Sequence, residues 1–197
     1  MNMPDHIFRY TDLEFLETNP PQGKYHLLIV GTFNADIKGN NATWFYGRPE
    51  NEFWCLLPRM MNEPTLHPVD RDEDMATLTQ LWKNYCNDKR IIIVDLFKAV
   101  HKNLVNHSDK NLKTLTLREY TAFDFQTAFT QTQFDAVLFT WKGMNNNTLT
   151  RLKSQYINFF EPQGSLIMHM LTPSLAYSKP RSYKLEKWKE EYSSLHI

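Results

Sequence analysis

Four short apolar runs constrain this chain most: Tyr25–Gly31, Arg90–Asp95, Phe134–Thr140 and Ser165–Met170, with cores LLIV, IIIV, AVLF and LIMHM. A strand with one face in water alternates apolar and polar residues, whereas a strand buried on both faces is apolar almost throughout. These four are of the second kind. The stretches between them have helical spacing. Glu50–Met61 puts Phe53, Trp54, Leu57 and Met60 on one side, and Asp72–Tyr85 places Met75, Leu78, Leu81, Trp82 and Tyr85 at three- and four-residue steps. Glu119–Thr130, Thr148–Phe160 and Tyr183–Tyr192 read as further helices. Strands alternating with helices predict an α/β chain whose parallel sheet is covered on both faces. No repeat or Gly/Ser linker interrupts it. A single domain over 1–197 is expected, with residues 1–22, closed by Pro20-Pro21, as an N-terminal strap.

Charge narrows the function. The chain carries 22 Lys+Arg against 22 Asp+Glu, which excludes the strongly basic, non-specific nucleic-acid binder whose affinity comes from neutralising phosphates. An apolar fraction of 42%, with 14% aromatic, supplies one sizeable core and excludes disorder as the main state. No apolar run approaches the ~20 residues needed to span a bilayer. Met1–Tyr10 lacks a signal-peptide core. Two cysteines, Cys55 and Cys86, make no disulfide framework. The expectation is a soluble, cytoplasmic monomer. The charge is uneven, however: Lys98–Arg118 and Lys179–Lys189 are both locally basic. Together they form either a phosphate-facing surface or ordinary solvated faces.

Ligands of parallel sheets bind beyond the carboxyl ends of the strands. Here those ends run into Gly31-Thr32-Phe33-Asn34, Asp95-Leu96-Phe97-Lys98, Thr140-Trp141-Lys142-Gly143 and His169-Met170-Leu171-Thr172-Pro173-Ser174. There is no GxGxxG, no Walker loop and no HExxH, so neither a cofactor nor a metal is expected. A Ser174–His101–Asp95 triad lacks the GxSxG elbow, and Ser174 follows a proline. What remains is rich in amides, hydroxyls and aromatic rings: Phe33, Asn34, Phe45, Tyr46, Asn51, Trp141, Thr172 and Ser174. Such a lining suits a flat, hydrogen-bonding ligand such as a nucleobase, with a ring on its face and amides at its edge. The plainer reading makes Phe53, Trp54 and Trp141 core residues and Asn51 a helix cap.

Leu28-Ile29-Val30-Gly31-Thr32-Phe33, followed by Phe45-Tyr46-Gly47-Arg48-Pro49-Glu50-Asn51-Glu52-Phe53-Trp54, resembles the uracil-DNA glycosylase superfamily. The mismatch-specific (thymine/uracil) and hypoxanthine-acting branches are closest. Asp95-Leu96-Phe97, the pair Ser108-Asp109, the loop Thr172-Pro173-Ser174 and Trp188 fall where those branches have similar features. Of these, Pro49-x-Asn51-x-Phe53-Trp54 is the most specific. The resemblance implies a three-layer α/β/α fold with a four-stranded parallel sheet in the order 2-1-3-4. It also implies a metal-free hydrolysis of the bond joining a flipped base to its sugar in double-stranded DNA carrying a lesion or mismatch.

On that resemblance Asn51 and Asn34 are the candidate catalytic residues, and Phe33, Phe45, Tyr46 and Trp141 the base-binding ones. Thr172, Ser174, Lys179 and Arg181 would meet phosphate, and Leu175 or Tyr177 would fill the gap in the stack. The chain departs from the mismatch-specific branch at Phe33, where that branch has the Asn that orients water. Three functions therefore stay open: an active glycosylase, a family member that binds a nucleobase, nucleotide or nucleic acid without cleaving it, and an unrelated α/β enzyme using His101 or His169.

Overall fold

The computed structural model describes residues 4–104, 109–142, 147–174 and 177–196. Its centre is strand β1 (Gly23–Gly31), in which Leu27, Leu28, Ile29 and Val30 have no exposed surface. β1 pairs in parallel with β2 (Ile91–Asp95) on one side, matching Gly31 to Asp95. Two further strands lie at 97–100 and 120–122, labelled β3 (Phe97–Val100) and β4 (Tyr120–Ala122). On its other side β1 pairs with β5 (Thr132–Phe139), which pairs with β6 (Leu166–His169), all in parallel. The sheet order is β2-β1-β5-β6. Numbered by the four apolar runs, that is the 2-1-3-4 order that the resemblance implies.

Helices cover both faces. On one side lie α2 (Phe53–Met60), α3 (Met75–Asp88) and α6 (Arg181–Ser193), joined by aromatic contacts. Trp54 stacks on Trp82 at 4.9 Å between centroids, and Phe53 meets Trp188 edge-on at 6.0 Å. A second group contains α1 (Glu14–Thr18), α4 (Phe125–Ala128) and α5 (Thr148–Phe160). There Phe125 stacks on Tyr156 at 3.9 Å, and Phe160 packs against Phe129, at the end of α4, and Phe134 of β5. Local signals set the helix starts. Asp74, Asp124 and Asn147 each accept a backbone N–H three residues ahead, the usual N-cap bond. Pro58 lies inside α2 and has no N–H to give to Trp54; the Trp54 carbonyl instead accepts the N–H of Leu66 at 2.9 Å.

Two expectations need correction. The Glu119–Thr130 helix is a single turn, α4, because Tyr120–Ala122 pairs antiparallel with Phe97–Val100. Its apolar residues Phe123, Phe125, Ala128 and Phe129 have helical spacing but pack through a strand, a cap and one turn. The second concerns Lys98–Arg118, read as a basic segment: its start belongs to β3, which pairs with β4 beside the main sheet.

The core gives a direct test. Leu28→Ala should cost about 2–5 kcal/mol in urea unfolding, as buried Leu truncations do. Leu117→Ala, at a side chain 69% exposed, should move stability by less than about 0.5 kcal/mol.

Candidate functional site

The carboxyl ends of β1, β2 and β5 open into a cavity of about 540 Å³, with the segment after β6 on its wall. Its walls include Phe33, Asn34, Phe45, Tyr46, Asn51, Trp141, Thr172, Ser174 and Tyr177. Nine of the residues nominated from the sequence therefore stand around one cavity. Lys179 and Arg181 do not line it, and Leu175 lies outside the described residues, as do Ser108 and Gly143.

Buried indoles hold the loops that shape the cavity. Trp54 donates its Nε1–H to the Phe45 carbonyl at 3.0 Å, fixing the 44–48 loop. Trp188 donates to the Leu171 carbonyl at 2.9 Å, fixing the segment after β6. The same segment is fastened by a buried ion pair. Lys184 Nζ lies 2.6 Å from Glu52 Oε2 and donates to the Ser174 carbonyl at 3.0 Å, while Glu52 N–H donates to the Pro173 carbonyl. Arg181 completes this clamp, 3.5 Å from Glu52 and 3.4 Å from Asp70. Arg181 is thus turned toward carboxylates of this chain instead of toward a phosphate. Lys179 is exposed, its ammonium 5.7 Å from the Tyr183 ring.

The floor is polar. Tyr46 adopts a left-handed φ of 57°, an uncommon conformation for a residue with a Cβ, and stacks on Phe53 at 4.0 Å. Its hydroxyl meets Thr140 Oγ1 at 3.0 Å. Burial, reinforced by the charge of Asp95, pushes its pKa well above 10, so the hydroxyl keeps its proton. Gly31 is required here: a Cβ would come within 2.0 Å of Asp95 Oδ1 and 2.5 Å of the Tyr46 hydroxyl. Asp95 is held by His6 of the strap, Nε2 to Oδ2 at 2.7 Å. Thr32 donates to Asp109 at 2.7 Å. Asp109 is exposed as a residue, yet its carboxyl group sits among the cavity walls. That burial, together with the nearby Asp95 charge, pushes its pKa up despite the Thr32 bond.

The asparagines have local partners. Asn51 precedes the N-cap of α2, Glu52, and its Oδ1 accepts the Phe53 N–H at 3.0 Å, which leaves its amide N–H groups for the cavity it lines. Asn34 Oδ1 accepts from Asn40 at 2.7 Å. The Ser174–His101–Asp95 triad is not assembled: His101 lies beside Thr121, 2.9 Å from its hydroxyl, and the histidine partner of Asp95 is His6. His169 packs its ring against Phe139 at 5.8 Å and does not line the cavity. Among the described residues no group of three His, Cys, Asp or Glu side chains is placed to hold a metal ion.

Several wall residues were not singled out from the sequence. Arg48, Lys110, Lys113 and Lys142 all line the cavity, as do Asp95 and Asp109, which the sequence noted only at a strand end and in the Ser108-Asp109 pair. The basic run Lys98–Arg118 did point to Lys110 and Lys113. Its other lysines are engaged elsewhere, Lys98 with Glu17 at 2.6 Å and Lys102 with Glu119 at 3.4 Å. Behind the wall, Lys153 is buried beneath Trp141, donating to its carbonyl at 3.2 Å with the Phe139 and Trp141 rings about it. Burial pulls its pKa down to about 8.

No family model matches the sequence, and no curated protein matches it. A solution NMR structure, of a protein from Methanosarcina acetivorans described as a "putative Uracil DNA glycosylase", shares the fold. The TM-score is 0.52 at 19% sequence identity, over 88% of this chain and 92% of that one. The likeness is one of architecture, spanning the sheet and its helices.

Two variants test the clamp and the buried lysine. Lys184→Met leaves Glu52 buried with Arg181 alone and should cost about 3 kcal/mol, the low end for breaking a buried pair. For Lys153 the folded pKa is below the unfolded one, so between about 8 and 10.5 only the unfolded chain holds that proton. The stability of wild type relative to Lys153→Met should therefore rise with pH across that window. Urea midpoints at pH 7, 9 and 10 will read it; a difference that is flat or falling contradicts the burial.

Proposed function

We propose that the protein is a monofunctional DNA glycosylase that extrudes a damaged or mismatched base (uracil, hypoxanthine or mispaired thymine) into the strand-end cavity and hydrolyses its bond to the sugar. The observation that carries this reading is the composition of that cavity. Aromatic rings, hydroxyls and amides line its interior, and four cationic side chains lie among its walls, all at the ligand-binding edge of the sheet.

A flipped base needs a ring to lie against and donors and acceptors at its edge. Phe33, Trp141 and Tyr46 supply the first, and the Asn51 amide, Thr32 and Thr140 the second. The flanking phosphates need cations and hydroxyls that do not read sequence. Arg48, Lys110, Lys113 and Lys142 take that part, with Thr172 and Ser174 also on the cavity wall. Tyr177 is the described side chain placed to fill the space left in the stack. The reaction passes through a sugar with oxocarbenium character, and donors at the base edge stabilise the departing negative charge. Tyr46, which burial keeps protonated, remains a neutral hydroxyl there. We propose that the protein acts as a monomer on double-stranded DNA in the cytoplasm, without metal or cofactor.

The second reading, binding without cleavage, is favoured by Phe33 at the water-orienting Asn of the mismatch-specific branch. A panel of duplexes carrying uracil, hypoxanthine, xanthine or mispaired thymine separates the two. Glycosylase activity predicts alkali-labile abasic sites in at least one duplex. Lys113→Glu and Lys142→Glu should weaken duplex affinity, and binding should fall steeply with salt, each lost phosphate contact reducing the log–log slope by about 0.9. Tight lesion-dependent binding with no abasic product would support the binding-only reading instead.

A further inference from the structure

We propose that Asp95 is the catalytic residue that takes the proton of the attacking water, and that His6, on the N-terminal strap, positions it. The proposal rests on the glycosylase reading and assigns the water-activating role that the sequence leaves vacant at Phe33.

The strap is bound into the site. The strap runs antiparallel along β3, bridging Asp5 to Ala99, with the His6 N–H donating to the Lys98 carbonyl at 2.8 Å and the Ile7 N–H to the Asn34 carbonyl, in the segment after β1, at 2.9 Å. The Val100 N–H returns to the Pro4 carbonyl at 3.0 Å. His6 is 2% exposed, with the rings of Phe8, Phe33 and Phe45 within 5.5–5.7 Å of its own. Its Nδ1 accepts the Phe8 N–H at 3.0 Å, and a ring nitrogen that accepts carries no proton. The ring proton therefore resides on Nε2, 2.7 Å from Asp95 Oδ2, and His6 is the donor of that bond. This fixes the carboxylate through one oxygen. The other, Oδ1, lies beside Gly31, where the absence of a Cβ makes room for it and for the Tyr46 hydroxyl, and Asp95 is among the residues lining the cavity.

The other acceptors around the cavity are less suited. Asn51 Oδ1 is taken up by the Phe53 N–H, and Asn34 Oδ1 by Asn40. Asp109 accepts from Thr32 through Oδ1. In the step assigned to Asp95, the water oxygen forms a bond to the sugar C1′ as the C1′–N bond breaks and its electron pair leaves with the base. The water proton passes to Asp95 Oδ1 and then to solvent, and the departing base takes a proton from solvent. The products are the abasic hemiacetal and the free base. A donor that fixes a base without touching substrate acts by orientation, and misplacement of a reacting group is costly in rate.

The test uses the full chain and whichever panel duplex the wild type cleaves. Single-turnover rates and duplex dissociation constants are measured for Asp95→Asn, His6→Ala and His6→Gln, with melting curves to confirm folding. Asp95→Asn keeps the shape and still accepts from His6, so it should fold and bind duplex within about threefold of wild type while losing at least about 100-fold in rate. His6→Ala should lose about tenfold in rate at similar affinity, and His6→Gln, which retains an amide donor toward Oδ2, should recover most of it. A wild type that cleaves while Asp95→Asn keeps its rate within threefold overturns the role of Asp95 and leaves the glycosylase reading standing. His6→Gln as slow as His6→Ala, with both folded, overturns positioning by His6. A wild type that releases no base from any duplex overturns the glycosylase reading itself, and the role of Asp95 with it.

Discussion

The whole site depends on how β1 ends. Its residues 27–30 are sealed between two paired strands and two layers of helices, so the chain must leave the sheet at Gly31 without a side chain. Asp95, its register partner on β2, and Tyr46, folded back over Phe53, meet in the space a Cβ would have occupied. Here a hydroxyl from the end of β5, Thr140, and an imidazole from the strap complete the satisfaction of that cluster.

Around this floor the loops are held by groups that look, in composition, like ordinary core. Trp54 and Trp188 each place an indole N–H on the carbonyl of a cavity-forming segment. Lys184, with no exposed surface, carries its charge to Glu52 and the Ser174 carbonyl and ties α6, α2 and the segment after β6 together. Buried ion pairs add little net stability over apolar substitutes, but removing one partner is costly, which makes them effective at selecting one arrangement. The result is a cavity whose walls come from distant parts of the chain yet are fixed from behind.

Much of the fold was legible because its signals are local. The strands announce themselves as continuous apolar runs, and the segments at their carboxyl ends supplied most of the cavity wall. The place of Asn51 at the start of α2 was legible for the same reason, although the N-cap itself is Glu52 and Asn51 bonds the Phe53 N–H from one residue further out. What escaped detection is long-range pairing. His6 and Asp95 lie 89 residues apart, and nothing around His6 in the sequence points to its partner. Arg181 reads as a surface cation until Glu52 and Asp70, more than a hundred residues upstream, come to meet it. The β3–β4 pairing was hidden by the helical spacing of Phe123 to Phe129, a pattern that a strand followed by one capped turn can satisfy equally well.

The central claim is that a base leaves the duplex and enters the cavity above Gly31. Fluorescence of 2-aminopurine placed beside uracil, hypoxanthine or mispaired thymine reads this directly, because the probe brightens when its neighbour leaves the stack. Saturation with the protein should raise the emission of at least one such duplex and leave a fully matched duplex unchanged. Saturated binding to every lesion duplex with no rise in emission would contradict it.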